Sequence, residues 1–347
     1  MKTTKNILVL ALAVIMVLSA FWACGKEESE AQSNTESNSN AATGTDESGT
    51  DETVIRIGGL KGPTTMGLVK LMHDFESDNA VCNYNFKVEA AADAITPLLI
   101  KGDLDMVAIP ANVASVLYNK TNGGVQVLGI NTLGVLYIVE RGLSIESIAD
   151  LKGKTIYATG KGTTPEYSLR YILSQNGIDP DKDVEIVWKT EANEVVAQLA
   201  NTEGGVAMLP QPYVTVAQSK INDLEIVLNL NNEWDAADEN TSMVTGVTIV
   251  RKEFAEAHPE LIEAFLTEYK ASAEFIVANP AEAAPWVEEK IGVKAAIAEK
   301  AIPYCNISLI TGADMKAKLG GYLSVLFEQN PQSIGGKLPA DDFYYEA

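Results

Sequence analysis

The sequence predicts an α/β protein of two lobes facing one cleft, and three observations predict it. The stretch Lys154 to Gly177 reads as strand, glycine-rich loop and helix. A similar stretch stands about one hundred residues earlier, and the correspondence persists through two further strands, as expected of a repeated β-α-β-α-β unit. Apolar strand runs then flank the second unit on both sides, so the chain crosses between lobes twice. Each lobe is expected to be a mixed sheet flanked by helices, and the two crossover strands make a hinge.

Within the first of these stretches, Thr155 to Ala158 has strand character. Gly160-Lys161-Gly162-Thr163-Thr164-Pro165-Glu166 follows. Threonine before a proline and a glutamate is a helix-start pattern, and Gly177 stops the helix. Such a loop offers backbone N–H groups and a helix N-terminus to a ligand. Its counterpart is Ile55 to Met66, in which Lys61-Gly62 matches Lys161-Gly162 and Thr64 matches Thr164. Ala92, Ile95 and Leu99 fall opposite Ala192, Val195 and Leu199. The strands Leu104–Ile109 and Val206–Leu209 both run into proline, Pro110 and Pro210.

The chain begins with Lys2 and Lys5, a twelve-residue apolar core from Ile7 to Leu18, and a stretch ending in Cys24. Residues 1–23 read as a secretion signal, too short for an ordinary membrane span. Its ending resembles a bacterial lipoprotein signal, which implies lipidation of Cys24. Residues 24–52 are Ser-rich and acidic, with no aromatic and no aliphatic residue larger than alanine, and read as a disordered tether. Anchor and tether together place the folded body at the outer face of the cytoplasmic membrane. The remaining residues are globular in composition and long enough for two domains. They divide into lobe 1, residues 53–135 and 247–347, and lobe 2, residues 136–246.

Between the repeated units, Val125–Asn131 and Val135–Val139 are strand-like, and Arg141 to Leu151 is a connector with a short helix. Glu225–Leu230 reads as another strand. An acidic loop, Asn231 to Thr241, then carries Trp234. Met243 to Val250 is again strand-like. From Lys252 the chain is mostly helical, with one apolar-faced helix carrying Phe254, Leu261, Phe265 and Tyr269. Met315–Leu326 is the last long helix. These helices are expected to return to the first lobe.

Net charge is −21 and no basic stretch exists, which argues against nucleic acid as a partner. The two histidines, His73 and His258, have no metal-like neighbours, and no metal or cofactor is expected. With so few histidines, no Ser–His–Asp set is available. Cys82 and Cys305 remain after Cys24. A disulfide is permitted outside the cell, and two buried free thiols are the favoured alternative.

Four segments carry a family resemblance: Gly102-Asp103-Leu104-Asp105-Met106, Gly129-Ile130-Asn131-Thr132, Ile148 to Ile156, and Gly162-Thr163-Thr164-Pro165. Ile148 to Ile156 is the most specific. From about residue 53 to 330 the chain resembles bacterial substrate-binding proteins of the type II periplasmic fold. It looks closest to the nitrate, sulfonate, taurine and thiamine-precursor group of ABC importers. The resemblance implies a monomeric receptor that delivers a small solute to an ABC permease and ATPase complex, with loops of both lobes lining the cleft. On this chain those loops supply Lys61, Gly62, Thr64 and Thr65, then Pro110 and Asn112, then Gly160, Gly162, Thr163 and Thr164, then Gln211 and Tyr213. Trp234 joins Tyr213 as cover for an apolar or aromatic ligand part.

Two departures qualify the ligand. Gln211-Pro212 stands where such proteins often have Glu-Pro, and no arginine lies in the loops, although sulfonate binders of the group often use one. A small organic solute, such as a heterocyclic vitamin precursor, is therefore expected ahead of nitrate or taurine. An enzyme on the same fold, of the thiamine-pyrimidine or menaquinone-pathway type, and an extracellular sensor remain the alternatives.

Overall fold

The computed structural model describes residues 53–142, 144–239 and 241–346. The expected signal, Cys24 and the tether lie outside the described residues. Strand β1 (Val54–Leu60) leads into the short helix α1 (Pro63–Met66) and α2 (Val69–Glu76). β2 (Asn83–Glu89), α3 (Ala92–Lys101), β3 (Met106–Pro110) and α4 (Ala111–Lys120) follow. β4 (Val125–Leu133) and β5 (Leu136–Arg141) connect to the second unit. That unit comprises β6 (Thr155–Thr159), α5 (Thr164–Gln175), β7 (Glu185–Lys189), α6 (Ala192–Ala200), β8 (Val206–Pro210) and α7 (Tyr213–Gln218). Next come β9 (Leu224–Asn229), α8 (Leu230–Ala237) and β10 (Val244–Arg251). The chain ends in α9 (Lys252–Ala257), α10 (Pro259–Ala278), α11 (Pro280–Ile291), α12 (Ala295–Ala301), β11 (Ile307–Ile310) and α13 (Gly312–Gln329).

The strands form two mixed sheets, ordered β11-β4-β10-β3-β1-β2 and β7-β6-β8-β5-β9. The duplication is visible in their topology. β1 lies parallel between β2 and β3 in the first sheet, and β6 lies parallel between β7 and β8 in the second. β10 pairs antiparallel with β3, as β5 does with β8. Each sheet thus receives, beside its third parallel strand, a strand that has just arrived from the other sheet. The chain leaves the first sheet at Leu133, enters the second at Leu136, and returns at Val244.

Three elements differ from the sequence expectation. Asn231 to Thr241 is not a loop, because most of it is α8. Leu230 and Trp234, one helical turn apart, are its buried apolar residues, and Asn229 caps it by accepting from the Asn231 amide at 3.0 Å. The helix expected across Phe254 and Leu261 is two helices, α9 and α10, divided at His258-Pro259 where proline opens the second. The short edge strand β11 gives no usable sequence signal, having four residues and two pairing positions.

The first sheet carries a buried ion cluster that has no counterpart in the second among the described residues. Asp105 is 0% exposed. Arg56 grips it through Nε at 2.8 Å and Nη2 at 2.6 Å, and Arg251 adds Nη2 at 2.8 Å. Burial alone would raise this carboxyl, but the hydrogen bonds from Arg56 and Arg251 hold it below its ordinary value. Cys82 and Cys305 are both buried free thiols, and burial pushes the Cys305 thiol up to about 12. The C-terminal residues strap the first lobe: Phe343 is buried, and Ser115 donates to the Ile334 carbonyl at 2.8 Å.

Candidate functional site

The site is built around the crossover between β4 and β5. Gly134 lies there with both sides of its peptide held. Its N–H donates to Asn231 Oδ1 at 3.0 Å, and its carbonyl accepts from Asn306 Nδ2 at 2.5 Å. A Cβ at 134 would fall 2.1 Å from Met243 Cε and 3.0 Å from Asn231 Cβ, so a side chain there would displace Met243 and crowd Asn231. Gln211 joins the same segment, since its backbone N–H donates to the Val135 carbonyl at 2.9 Å.

Around this crossover are buried polar atoms without a hydrogen-bonding protein partner: Asn131 Oδ1, Thr132 Oγ1, Gln211 Nε2 and Thr65 Oγ1. Gln211 is 2% exposed, and its Oε1 is engaged by the Thr215 hydroxyl at 2.9 Å, which leaves its amide donor unpaired. Asn131 donates its Nδ2 to Thr248 Oγ1 at 3.0 Å, which leaves its carbonyl unpaired. Asn131 and Thr64 meet over Gly246, where an added Cβ would lie 2.5 Å from both. An unpaired buried polar group costs about 1–3 kcal/mol. Several lie around one crossover, and a ligand offering both donors and acceptors could satisfy them.

The first-lobe loop contributes unevenly. Thr64 and Thr65 are buried in α1, Thr65 tucked against Gly59, while Lys61 is exposed and Gly62 adopts φ 146°. No side chain caps α1. The second-lobe loop is organised differently. Thr163 donates its hydroxyl to the Gly160 carbonyl at 2.6 Å, and the Gly162 N–H donates to Glu166 Oε2 at 2.6 Å. Tyr167 closes the loop by donating to the Gly162 carbonyl at 2.9 Å, and Asn330 after α13 donates to that tyrosine oxygen at 2.7 Å. Gly160 and Gly162 both have positive φ, which suits glycine. Thr164 is the first residue of α5 and is half-buried; it is the Thr163 position that precedes the helix, without a side-chain cap.

Pro110 ends β3 and precedes α4, and Asn112 is turned to the C-terminal strap, donating to the Ser333 carbonyl at 3.2 Å. After β8, Tyr213 opens α7 and is 37% exposed. Trp234 does not cover a ligand in this arrangement. It is 0% exposed, packs between Tyr171 and Tyr322, and donates its indole N–H to Thr241 at 2.9 Å. Its burial follows from the helix that replaced the expected loop.

The crossover thus brings together Thr64, Thr65 and Gln211 from the expected set and adds Asn131, Thr132, Asn231 and Asn306. Asn131 and Thr132 had a legible signal, being two polar residues inside an apolar strand run. No group of three or more His, Cys, Asp or Glu side chains able to hold a metal occurs among the described residues, and no helix there is long and apolar enough to cross a membrane. What these residues can do is bind through neutral hydrogen bonds. No arginine is among them.

A family model described as NMT1/THI5 like matches residues 93–283, just over half of the chain. A curated binding protein of Brucella abortus is 25% identical over 195 residues, covering 54% of this chain and 59% of that relative's own length. The match therefore spans less than two thirds of the curated relative. Among solved structures, an ABC transporter protein from Parabacteroides distasonis is similar with TM-score 0.70 and 25% identity, over 85% of this chain and 99% of that one. The periplasmic aliphatic sulphonate binding protein of Escherichia coli is similar in fold, with TM-score 0.65 and 16% identity over 84% of this chain and 92% of its own.

Proposed function

The chain belongs to the NMT1/THI5-like family and has the two-sheet fold of type II periplasmic binding proteins. From that premise we propose that it is the solute-binding component of an ABC importer, capturing a small neutral organic solute between its lobes. The reading extends to this chain what the similar proteins are named for: binding, and membership of an ABC transporter. The observation that carries the solute class is the set of buried polar atoms without protein partners at the crossover, Asn131 Oδ1, Thr132 Oγ1, Thr65 Oγ1 and Gln211 Nε2. One is a carbonyl acceptor, one an amide donor and two are hydroxyls, so the set matches a heterocycle bearing both donor and acceptor edges. A sulfonate or nitrate, which only accepts, would leave the Asn131 carbonyl unpaired. In the second-lobe loop, the Gly162 N–H already holds Glu166.

In this proposal Lys61, Gly62, Pro110, Asn112, Gly160, Gly162, Thr163, Thr164 and Tyr213 form the rim, and the crossover residues form the floor. Cys24 anchors the chain by a lipid at the outer face of the membrane. A thermal-shift panel followed by calorimetry tests the solute class, because a ligand bound only by the native state raises the melting temperature by mass action. Aminopyrimidines and related neutral heterocycles should raise it; taurine and nitrate should not. Tight taurine or nitrate binding with heterocycles inert sinks the proposal. For the anchor, Cys24→Ser should move the protein out of the membrane fraction, and a variant that stays membrane-bound refutes the lipid.

A further inference from the structure

Beside the crossover, a cavity of ≈ 520 Å³ opens between elements of the two sheets. One wall is α7, through Thr215, Gln218 and Ser219. The other is α12 and the turn after it, through Ile297, Lys300 and Tyr304. α12 belongs to the first sheet's helical layer, since Ala298 and Ala301 are buried in the same apolar cluster as Ile55 and Ile57 of β1. α7 belongs to the second, where Val214 and Ala217 pack with Tyr137 and Leu209. No residue of the expected ligand loops lines this space.

Its chemistry differs from that of the crossover. Lys300 is the one charged residue of the lining, and it makes no ion pair among the described residues, in a chain of net charge −21. Around it stand the Thr215 and Ser219 hydroxyls, the Gln218 amide and the half-exposed Tyr304, with Ile297 as apolar surface. Each wall is also tied to the crossover region. Thr215 donates to Gln211 Oε1 at 2.9 Å, and the Tyr304 carbonyl accepts from the Tyr137 hydroxyl of β5 at 2.7 Å.

We propose that this cavity is a second binding site, which takes a small organic monoanion. Its carboxylate pairs with Lys300 and the second N–H of the Gln218 amide, whose first N–H serves the Leu224 carbonyl, and a short aliphatic body lies on Ile297. A ligand that touches both walls binds one arrangement of α7 against α12, so its occupancy is linked to whatever the crossover site binds.

Butyrate is the probe, titrated at constant ionic strength into the full chain by ligand-observed saturation-transfer NMR, with n-butanol as the uncharged control. Wild type should show saturable butyrate binding and far weaker butanol binding. Lys300→Ala should weaken butyrate roughly tenfold or more, the worth of one charge-assisted hydrogen bond. Ile297→Trp should abolish binding by filling the space. Both positions reach solvent, so both variants should keep the wild-type melting temperature without butyrate, and that measurement separates lost binding from lost folding. Equal isotherms in wild type and both variants, or no saturation in wild type, would overturn the site. Binding lost in Ile297→Trp but unchanged in Lys300→Ala would overturn the anion.

Discussion

The loops at 61–66 and 160–166 share their Lys-Gly and threonine pattern and follow equivalent strands, yet they differ in what they leave free. In the first, Thr64 and Thr65 are buried and the Thr65 hydroxyl has no protein partner. In the second, Gly162 and Thr163 are exposed and their polar groups are consumed by Glu166, Gly160 and Tyr167. A repeat therefore conserves the path of the backbone and not its chemistry. What a loop can bind depends on what packs against it. The first loop lies under β10, where Gly246 lets Thr64 and Asn131 meet; the second is latched to the end of α13 through Tyr167.

The same asymmetry extends below the loops. Asp105 precedes β3 in the first sheet, while the corresponding position before β8 is Gly205. The largest test of the comparison is Asp105→Asn, which leaves Arg56 and Arg251 without their common carboxylate. Breaking a buried pair by removing one partner should cost about 3 kcal/mol of unfolding free energy in urea titration. The pH dependence has a definite sign. A carboxyl held below its unfolded value near ~3.9 stabilises the fold at higher pH, and that contribution is lost as pH falls through its lower folded value. The acid limb of stability below about pH 4 should therefore be steeper in wild type than in Asp105→Asn. Equal acid limbs would mean that the cluster does not govern the first sheet.

How far the sequence carries this picture depends on the range of the contact. The duplicated strands, the two crossovers and the helix starts were legible because propensity and periodicity act within a turn or a strand. α8 was misread because only Leu230 and Trp234 betray its apolar side among acids and asparagines. The site was half legible. Thr64, Thr65 and Gln211 follow strand ends, where an α/β cleft is expected. Asn231 and Asn306 act through pairings about 100 to 170 residues apart, such as Asn306 on Gly134, which no local pattern announces; Asn131 stands out within its strand run, but its pairing with Thr248 does not. The engagement of Gly162 by Glu166 was local and available, since the acid stands four residues on; it was read as a helix-start feature alone.

A second test removes that engagement. Glu166→Gln keeps an acceptor for the Gly162 N–H and deletes the charge, so the second loop should become more tolerant of an anion. A unit charge about 4 Å away at an effective dielectric between those of water and protein is worth about 1–4 kcal/mol, so methanesulfonate binding should strengthen by roughly tenfold at low salt. Calorimetry in parallel on both proteins reads this directly. No gain would mean that the loop is closed to ligands by geometry, through the Tyr167 latch, and not by charge.

The smallest expected effect divides the two loops most cleanly. Thr65→Val preserves shape and removes only the hydroxyl. If that hydroxyl exists to meet a ligand, the empty protein should not miss it: a buried donor without a partner carries a desolvation cost, and deleting it should leave unfolding stability unchanged or raise it by up to about 1 kcal/mol. The bound protein should miss it by about 1 kcal/mol, a loss of roughly fivefold in affinity for the solute identified by the panel. Thr163→Val is the matched control in the other loop. Its hydroxyl serves the Gly160 carbonyl at an exposed turn, so this rim position offers the ligand no free donor, and the change should cost a little stability and weaken affinity far less than Thr65→Val. The opposite pattern, with Thr65→Val destabilising the free protein and Thr163→Val weakening the complex, would place the ligand on the second loop and reverse the roles assigned to the two.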